Sequence, residues 1–221
     1  MARIDNILLV EGEADRAFFE LICKKLALDA FVRVAAPKDL TGSHNTKEGV
    51  FNCLPIELKN LGDGQTARLA VVLDADSLPK GGFQAALERI RLIVEPFGYR
   101  ATGSSAGGVI YQHNDGLQDF GLWVMPNNAH EGMLEDWVKA CMLSNELTLF
   151  THAVSAINTL PAAPKFNPIH RSKAEVATWM AWQKRPGHGL YRIVEDELID
   201  TDSRLYLELS AWLRHVFPVK S

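Results

Sequence analysis

Two short hydrophobic segments, each followed at once by acidic residues, constrain the fold of this chain most. Residues 7–10 are Ile-Leu-Leu-Val and precede Glu11, and residues 69–73 are Leu-Ala-Val-Val-Leu and precede Asp74 and Asp76. Short apolar runs bounded by turn residues are typical of strands buried on both faces of a parallel sheet. Because ligands of α/β proteins bind beyond the carboxyl ends of such strands, the two segments predict an acidic site at one sheet edge.

The rest of the chain alternates strand-like and helix-like segments. We expect strands over residues 31–34, 109–112 and 121–125, a polar loop over 42–46, and helices over about 13–26, 47–61 and 83–94 and from near residue 131. With 221 residues and 47% hydrophobic content, the chain is long enough for one sizeable core. The pattern predicts an α/β fold with a mostly parallel sheet flanked by helices.

The composition changes after Leu160. Pro161, Pro164 and Pro168 stiffen a linker-like stretch, and helical patterns follow at about residues 173–184, 190–199 and 204–217. Tryptophans at 179, 182 and 212 indicate that these helices pack against the rest of the protein. We therefore expect an α/β domain over residues 1–160 and a C-terminal helical cap over residues 161–221.

Cysteine content and hydropathy indicate the cellular compartment. The cysteines at 23, 53 and 141 form no CxxC pair, so neither a disulfide framework nor a zinc site is indicated. The first residues lack the apolar core of a signal peptide, and no stretch approaches the roughly 20 apolar residues of a membrane span. These features favour a cytoplasmic protein with no membrane partner.

The acids at the strand ends suggest metal chemistry. Glu11, Asp74 and Asp76 would repel one another unless a divalent cation neutralised them, and Mg²⁺ or Mn²⁺ prefers such oxygen ligands. Glu135 joins them as a fourth candidate, with Glu131 and Asp136 close by on the predicted helix. The alternative is that an acid pair such as Asp74 and Asp76 serves only as a turn or helix cap.

These residues resemble the Toprim domain of topoisomerases, bacterial primases, recombination mediators and OLD-family nucleases. The similarity lies in Val10-Glu11-Gly12 before a helix and in Leu73-Asp74-Ala75-Asp76 after a hydrophobic strand. Further segments resemble a small stand-alone Toprim-like group of unknown function, and the similarity spans about residues 5 to 217. They are Pro126-Asn127-Asn128, Gly132, Leu134-Glu135-Asp136, Ser172-Lys173-Ala174, Trp179 to Gln183 and Pro186-Gly187.

The resemblance implies roles for individual residues. Glu11 matches the Toprim glutamate, a general acid/base or metal ligand, and Asp74 and Asp76 match its metal-binding pair. Glu135 matches an acid that helps to hold a second metal in OLD-type domains, so one or two Mg²⁺ or Mn²⁺ ions are implied. Lys173 matches a lysine that faces the scissile phosphate, although an ordinary solvated lysine remains the alternative.

The expected function is therefore metal-dependent, nuclease-like hydrolysis of phosphodiesters in nucleic acid. One alternative is a non-catalytic or partner-dependent module of defence or repair that binds nucleic acid or a nucleotide and relies on a protein partner for an ATPase or other part. Another is a small phosphatase or nucleotide hydrolase. The net charge of −4 does not favour tight binding to nucleic acid without metal.

Two rival motifs carry less weight. Residues 103–107 read GxSxG, as in the nucleophile elbow of α/β-hydrolases, but a strand rather than a helix is expected to follow them. A phosphate-contacting loop or a simple turn explains residues 103–108 better. His130, next to Glu131, is the one histidine near the expected site, and a lone histidine is more often a surface residue than a ligand.

Overall fold

The computed structural model describes residues 5–34, 47–76 and 81–220. A six-stranded sheet with strand order β2-β1-β3-β6-β5-β4 forms the centre of the protein. The strands are β1 (Asp5–Val10), β2 (Phe31–Val34), β3 (Thr66–Asp74), β4 (Tyr99–Ser105), β5 (Gly108–His113) and β6 (Phe120–Met125). β2, β1, β3 and β6 run parallel, whereas β5 and β4 are antiparallel to their neighbours. The α/β prediction with a mostly parallel sheet is confirmed.

The two apolar segments form adjacent interior strands. Leu9 of β1 pairs with Val71 of β3, and Asp74 at the end of β3 pairs with Met125 at the end of β6. Leu8, Leu9 and Val10 are fully buried because helices cover both faces of the sheet. This register places the end of β1 and the end of β3 at the same edge.

Helices lie on both faces of the sheet. They are α1 (Glu13–Lys25), α2 (Lys47–Gly62), α3 (Phe83–Val94), α4 (Leu134–Ala140), α5 (Leu147–Asn158), α6 (Arg171–Ala181), α7 (Arg192–Glu195) and α8 (Arg204–Val216). One core joins the sheet to α2 and α3, and the other joins the opposite face to α1, α4 and the C-terminal helices. Alternate residues of each strand supply the two cores, as Ile7 and Leu8 show.

The C-terminal helices belong to the second core. Trp179 of α6 and Trp212 of α8 are fully buried in the same cluster as Phe18 of α1 and Trp123 of β6. The chain end also pairs with the segment after α1, since the Lys220 N–H donates to the Ala27 carbonyl at 2.7 Å. The predicted C-terminal helical cap is therefore present.

Several elements differ from the sequence expectation. β4 and α5 were not predicted, α4 begins at Leu134 rather than near residue 131, and α7 covers only part of residues 190–199. α2 continues through Pro55. The GxSxG motif lies in a β-hairpin whose turn is Ala106 and Gly107, so the expected strand after it is confirmed. The loop expected over residues 42–46 lies outside the described residues.

None of the described helices is both long enough and apolar enough to cross a membrane.

Candidate carboxylate site

Glu11 connects the ends of the two central strands. It follows β1 directly, and its Oε1 accepts a hydrogen bond of 2.8 Å from the backbone N–H of Asp74. Gly12 has a φ of −143°, an extended conformation that any residue can adopt, so the turn does not require glycine for its backbone angle. The Glu11 carboxylate is thereby fixed over the carboxyl end of β3.

Asp74 connects the end of β3 to α4. Its Oδ1 accepts a hydrogen bond of 3.0 Å from the backbone N–H of Leu134, the first residue of α4. The side chain is therefore oriented by a backbone donor from a segment 60 residues further along the chain. Burial is the largest cause of the raised pKa of Asp74, and the negative charges of Glu11, Asp15 and Glu135 raise it further.

Glu135 and Asp136 are neighbours with different surroundings. Burial raises the pKa of Glu135, the Lys173 ammonium lowers it, and the charge of Asp15 raises it further. Asp136 instead accepts a hydrogen bond of 3.0 Å from the Met133 N–H. It thereby satisfies the backbone donor of the residue that precedes α4. Glu135 thus belongs to the acidic cluster, whereas Asp136 caps a helix.

Asp15 is a member of the cluster that the sequence analysis missed. It lies in the first turn of α1, and its Oδ2 accepts a hydrogen bond of 3.0 Å from the Gly12 N–H. Its charge raises the pKa values of Glu11, Asp74 and Glu135. The sequence feature that could have identified Asp15 is its position four residues after Glu11, in the first turn of the helix that follows β1.

Lys173, in the first turn of α6, is a cation that acts on three of these acids. Its charge lowers the pKa values of Asp15, Asp74 and Glu135. The residue is exposed, so its ammonium is accessible to a ligand at the site. Lys173 is separated from these acids by at least 38 residues of sequence.

A network of mostly half-buried polar groups holds α6 against α4. The Ser172 hydroxyl donates to Asp136 Oδ1 at 2.5 Å, and Lys139 Nζ lies 2.8 Å from the same oxygen. Lys139 also pairs with Glu175, which is only 8% exposed and accepts from Arg171 as well. These contacts fix the turn of α6 that carries Lys173.

Asp76 lies on a different side of the site. It forms an ion pair with Lys47 of α2, and its side chain is 53% exposed. Asp76 raises the pKa of Glu11 and Lys47 lowers it, but the charges that act on Asp74 are those of Glu11, Asp15, Glu135 and Lys173. Asp76 is therefore engaged with Lys47 on the α2 face of the sheet, whereas α1, α4 and α6 lie on the other face.

Burial dominates the ionisation of the clustered acids. It raises the pKa of Glu11 to about 7, and it raises the pKa of Asp74 well above its usual value, with the Glu11 charge as the next cause. Burial is also the largest cause of the raised pKa values of Asp15 and Glu135. The protein alone does not compensate the negative charge that these four carboxylates would carry.

A comparison with protein-family models gives one match. The family described as a protein of unknown function (DUF3226) matches residues 5–218. This chain belongs to that family. Searches of curated proteins and of solved structures gave no match.

The donor chemistry of this DUF3226 site fits a hard divalent cation. Glu11 accepts its backbone hydrogen bond on Oε1 and Asp74 accepts its own on Oδ1. The second oxygen of each carboxylate could also coordinate a cation. Over the described ranges, however, no three His, Cys, Asp or Glu side chains are already arranged to hold a metal ion. A cation would therefore draw the carboxylates closer together than they lie in the protein alone.

His130 and Asn128 stabilise the turn after β6. His130 Nδ1 lies 2.9 Å from the Asn127 side-chain amide, and Asn127 Oδ1 accepts from the His130 N–H at 3.0 Å. Asn128 accepts from the Val124 N–H at 2.6 Å. Glu131 precedes α4 and is exposed. His130 thus acts in the local structure of the turn in the DUF3226 fold.

Proposed function

We propose that this DUF3226 protein hydrolyses phosphodiester bonds of nucleic acid with the help of Mg²⁺ or Mn²⁺ bound at the carboxylate site. The observation that carries the proposal is the surroundings of Asp74, a half-buried carboxylate that accepts from the Leu134 N–H and whose own N–H donates to Glu11. Burial and the charges of Glu11, Asp15 and Glu135 raise its pKa, and the charge of Lys173 lowers it. Unpaired buried acids destabilise a fold, and their charge is compensated most directly by a bound cation.

Each side chain has a distinct part in this proposal. Asp74, Glu11 and Glu135 supply the oxygens that hold the cation. The Leu134 N–H orients the Asp74 carboxylate, and the Asp74 N–H orients that of Glu11. A bound divalent ion supplies a nucleophilic water at neutral pH and charge stabilisation on the phosphate. The Lys173 ammonium stabilises the negative charge that develops on the phosphate oxygens.

The resemblance to Toprim domains supports the choice of nucleic acid as substrate. The order of Glu11, Asp74 and Glu135 along the chain and their positions after β1, after β3 and on α4 agree with that resemblance. Asp76, which matches the second acid of the Toprim metal pair, is engaged with Lys47. It joins the metal set in this proposal only when that ion pair opens.

The test has a binding arm and a cleavage arm. Calorimetry measures Mn²⁺ binding, and cleavage of single- and double-stranded DNA and RNA is followed with Mg²⁺ or Mn²⁺. Asp74→Asn and Glu135→Gln should weaken metal binding by about 100-fold and abolish cleavage, because they remove charge with little change of shape. Asp63→Asn serves as the matched control, since Asp63 is exposed and precedes the start of β3 at the opposite sheet edge.

The outcomes separate the candidate functions. Cleavage that survives both Asp74→Asn and Glu11→Gln would overturn the hydrolytic mechanism. Metal-dependent binding of nucleic acid without turnover would indicate the partner-dependent module instead. Release of phosphate from nucleotides, without cleavage of strands, would indicate a small phosphohydrolase.

A further inference from the structure

A groove of about 420 Å³ lies next to the carboxylate site. It runs along one face of α6 and is bounded by the first turn of α1 and by residues 187–190. At one end it is lined by Glu135 and Lys173, both members of the acidic cluster with its lysine. The groove and the candidate metal site are therefore continuous.

The groove has one polar end and an apolar body. Lys173, Ala177 and Ala181 recur at a spacing of four residues, so they share one face of α6 and define the length of the groove. The body is lined mainly by apolar side chains, namely Ala14, Val176, Ala177, Met180, Ala181 and Leu190. The alanines are short, which leaves the floor of the groove open to a flat group.

We propose that this groove binds the base and sugar of one nucleotide unit, with the phosphate of that unit placed between Lys173 and the carboxylate site. The inference rests on the proposed function, since the metal and Lys173 select the phosphate. It adds the identity of the neighbouring group, which neither the family match nor the carboxylate site specifies.

The chemistry along the groove matches a nucleotide in order. The cationic Lys173 and a cation held near Glu135 complement a phosphate, and the apolar body complements the faces of a base. His188, between Gly187 and Gly189, supplies ring nitrogens that can donate to or accept from the edge of the base.

The size of the groove favours a single unit over a double helix. Small-ligand sites span roughly 300–1,000 Å³, and 420 Å³ lies at the lower end of that range. A free nucleotide and the terminal unit of a single strand share the chemistry that the groove would recognise. An internal base pair of a duplex does not, because its faces are covered by stacking.

The experiment measures binding by calorimetry in the presence of Mn²⁺, with AMP and ribose 5-phosphate as the two probes. The wild type should bind AMP at least about tenfold more tightly than ribose 5-phosphate, because only AMP carries a base. Ala177→Phe should remove that difference, since the new ring fills the groove, and it should leave Mn²⁺ affinity within about twofold. Phosphorylated tetraadenylate as a third probe distinguishes a strand end from a free nucleotide by its tighter binding.

Ala211→Phe is the matched control. Ala211 is an exposed alanine in the middle of α8, and it does not line the groove. This variant should bind AMP as the wild type does. Equal binding of AMP and ribose 5-phosphate by the wild type, or AMP binding that Ala177→Phe leaves unchanged, would overturn the inference. If the wild type does not bind Mn²⁺ at all, the proposed function would be overturned instead.

Discussion

Under the proposed function, the carboxylate site trades stability of the metal-free protein for cation binding. Burial disfavours the charged forms of Glu11, Asp74 and Glu135. The negative charges of Glu11 and Glu135 raise the cost of ionising Asp74 further. The same burial would strengthen the attraction between these oxygens and a bound cation. The metal-free protein should therefore gain stability when one of these charges is removed.

Amide variants test this trade directly in metal-free protein with a chelator present. Glu11→Gln and Asp74→Asn keep the carbonyl oxygen that accepts the backbone hydrogen bond and lose the charge. At pH 8 each should be more stable than the wild type by about 1–3 kcal/mol. Thermal unfolding followed by near-ultraviolet circular dichroism measures the difference.

The pH dependence has a defined sign. Glu11 has a folded-state pKa of about 7, above its usual 4.5, so its favourable contribution is complete below about pH 4.5 and is lost as the pH rises through 7. The advantage of Glu11→Gln should appear over that window and be absent at pH 4. A variant that is less stable than the wild type at pH 8 would contradict this assignment.

Lys173→Met should change binding and turnover in opposite directions. Removing the ammonium takes a like charge away from the cation site, so Mn²⁺ affinity should rise by about two- to tenfold. Phosphodiester hydrolysis should fall by at least about tenfold, because the phosphate loses a stabilising charge. Calorimetry and a cleavage assay measure the two effects.

Lys184→Met, at an exposed position beyond the end of α6, is the control for charge removal. A parallel loss of metal affinity and turnover in Lys173→Met would indicate a structural role for Lys173.

The sequence identified some residues of the site and missed others. Glu11 and Asp74 could be found because they end uninterrupted apolar runs, which marks the carboxyl edge of a parallel sheet. Asp15 was missed because an acid in the first turn of a helix is ordinarily explained as a cap, and it does accept from Gly12. The ion pair of Asp76 with Lys47 joins residues 29 positions apart, which no local pattern reveals.

Elements on the sheet pack closely where glycines allow it. Gly108 of β5 lies against the indole of Trp212, and a Cβ on Gly121 of β6 would be 2.7 Å from a methyl of Val216. α8 therefore approaches the antiparallel part of the sheet because two strands lack side chains there.

Alanine substitutions at these glycines should destabilise the protein through overpacking. Gly108→Ala and Gly121→Ala should each lower the free energy of unfolding by about 1–3 kcal/mol, because Trp212 or Val216 must move. Gly103→Ala on β4 is the matched control, since a Cβ there meets nothing within 4 Å. Urea denaturation compares the three. Equal stability of all three variants would show that α8 does not pack as described.

Local patterns also explain which elements could be predicted. β1 and β3 were recognisable because their segments 7–10 and 69–73 are buried and uniformly apolar. β4 was missed because it is an edge strand whose residues from Arg100 to Ser104 are exposed and carry no alternation. Helix α5 and the true start of α4 depend on tertiary packing and on the Asp136 cap.

The whole molecule is held together by two cores that share one sheet. Residues 161–221 contribute Trp179, Trp212 and Phe217 to the core on the α1 face, and each is buried. The change in sequence texture near Leu160 therefore lies between two helices, α5 and α6, and the hydrophobic contacts continue across it.

A fragment of residues 1–160 should fail to fold as an independent unit. Without α6 and α8, the side chains of Phe18, Trp123 and Trp137 would be exposed to water, at a cost of about 25 cal/mol per Å² of apolar surface. Its amide NMR spectrum should show the narrow dispersion of an unfolded chain, in contrast to the full-length protein. A well-dispersed spectrum of the fragment would show that the C-terminal helices are dispensable for folding.

Two hydrogen bonds of the carboxylate site also make it observable. The amide protons of Asp74 and Leu134 point at the oxygens of Glu11 and Asp74, so each is a backbone probe placed directly on a candidate ligand. A change of charge or coordination at either carboxylate alters the field at the attached amide. The NMR resonances of these two amides give the site its own spectroscopic readout, which reports occupancy without a substrate or a substitution.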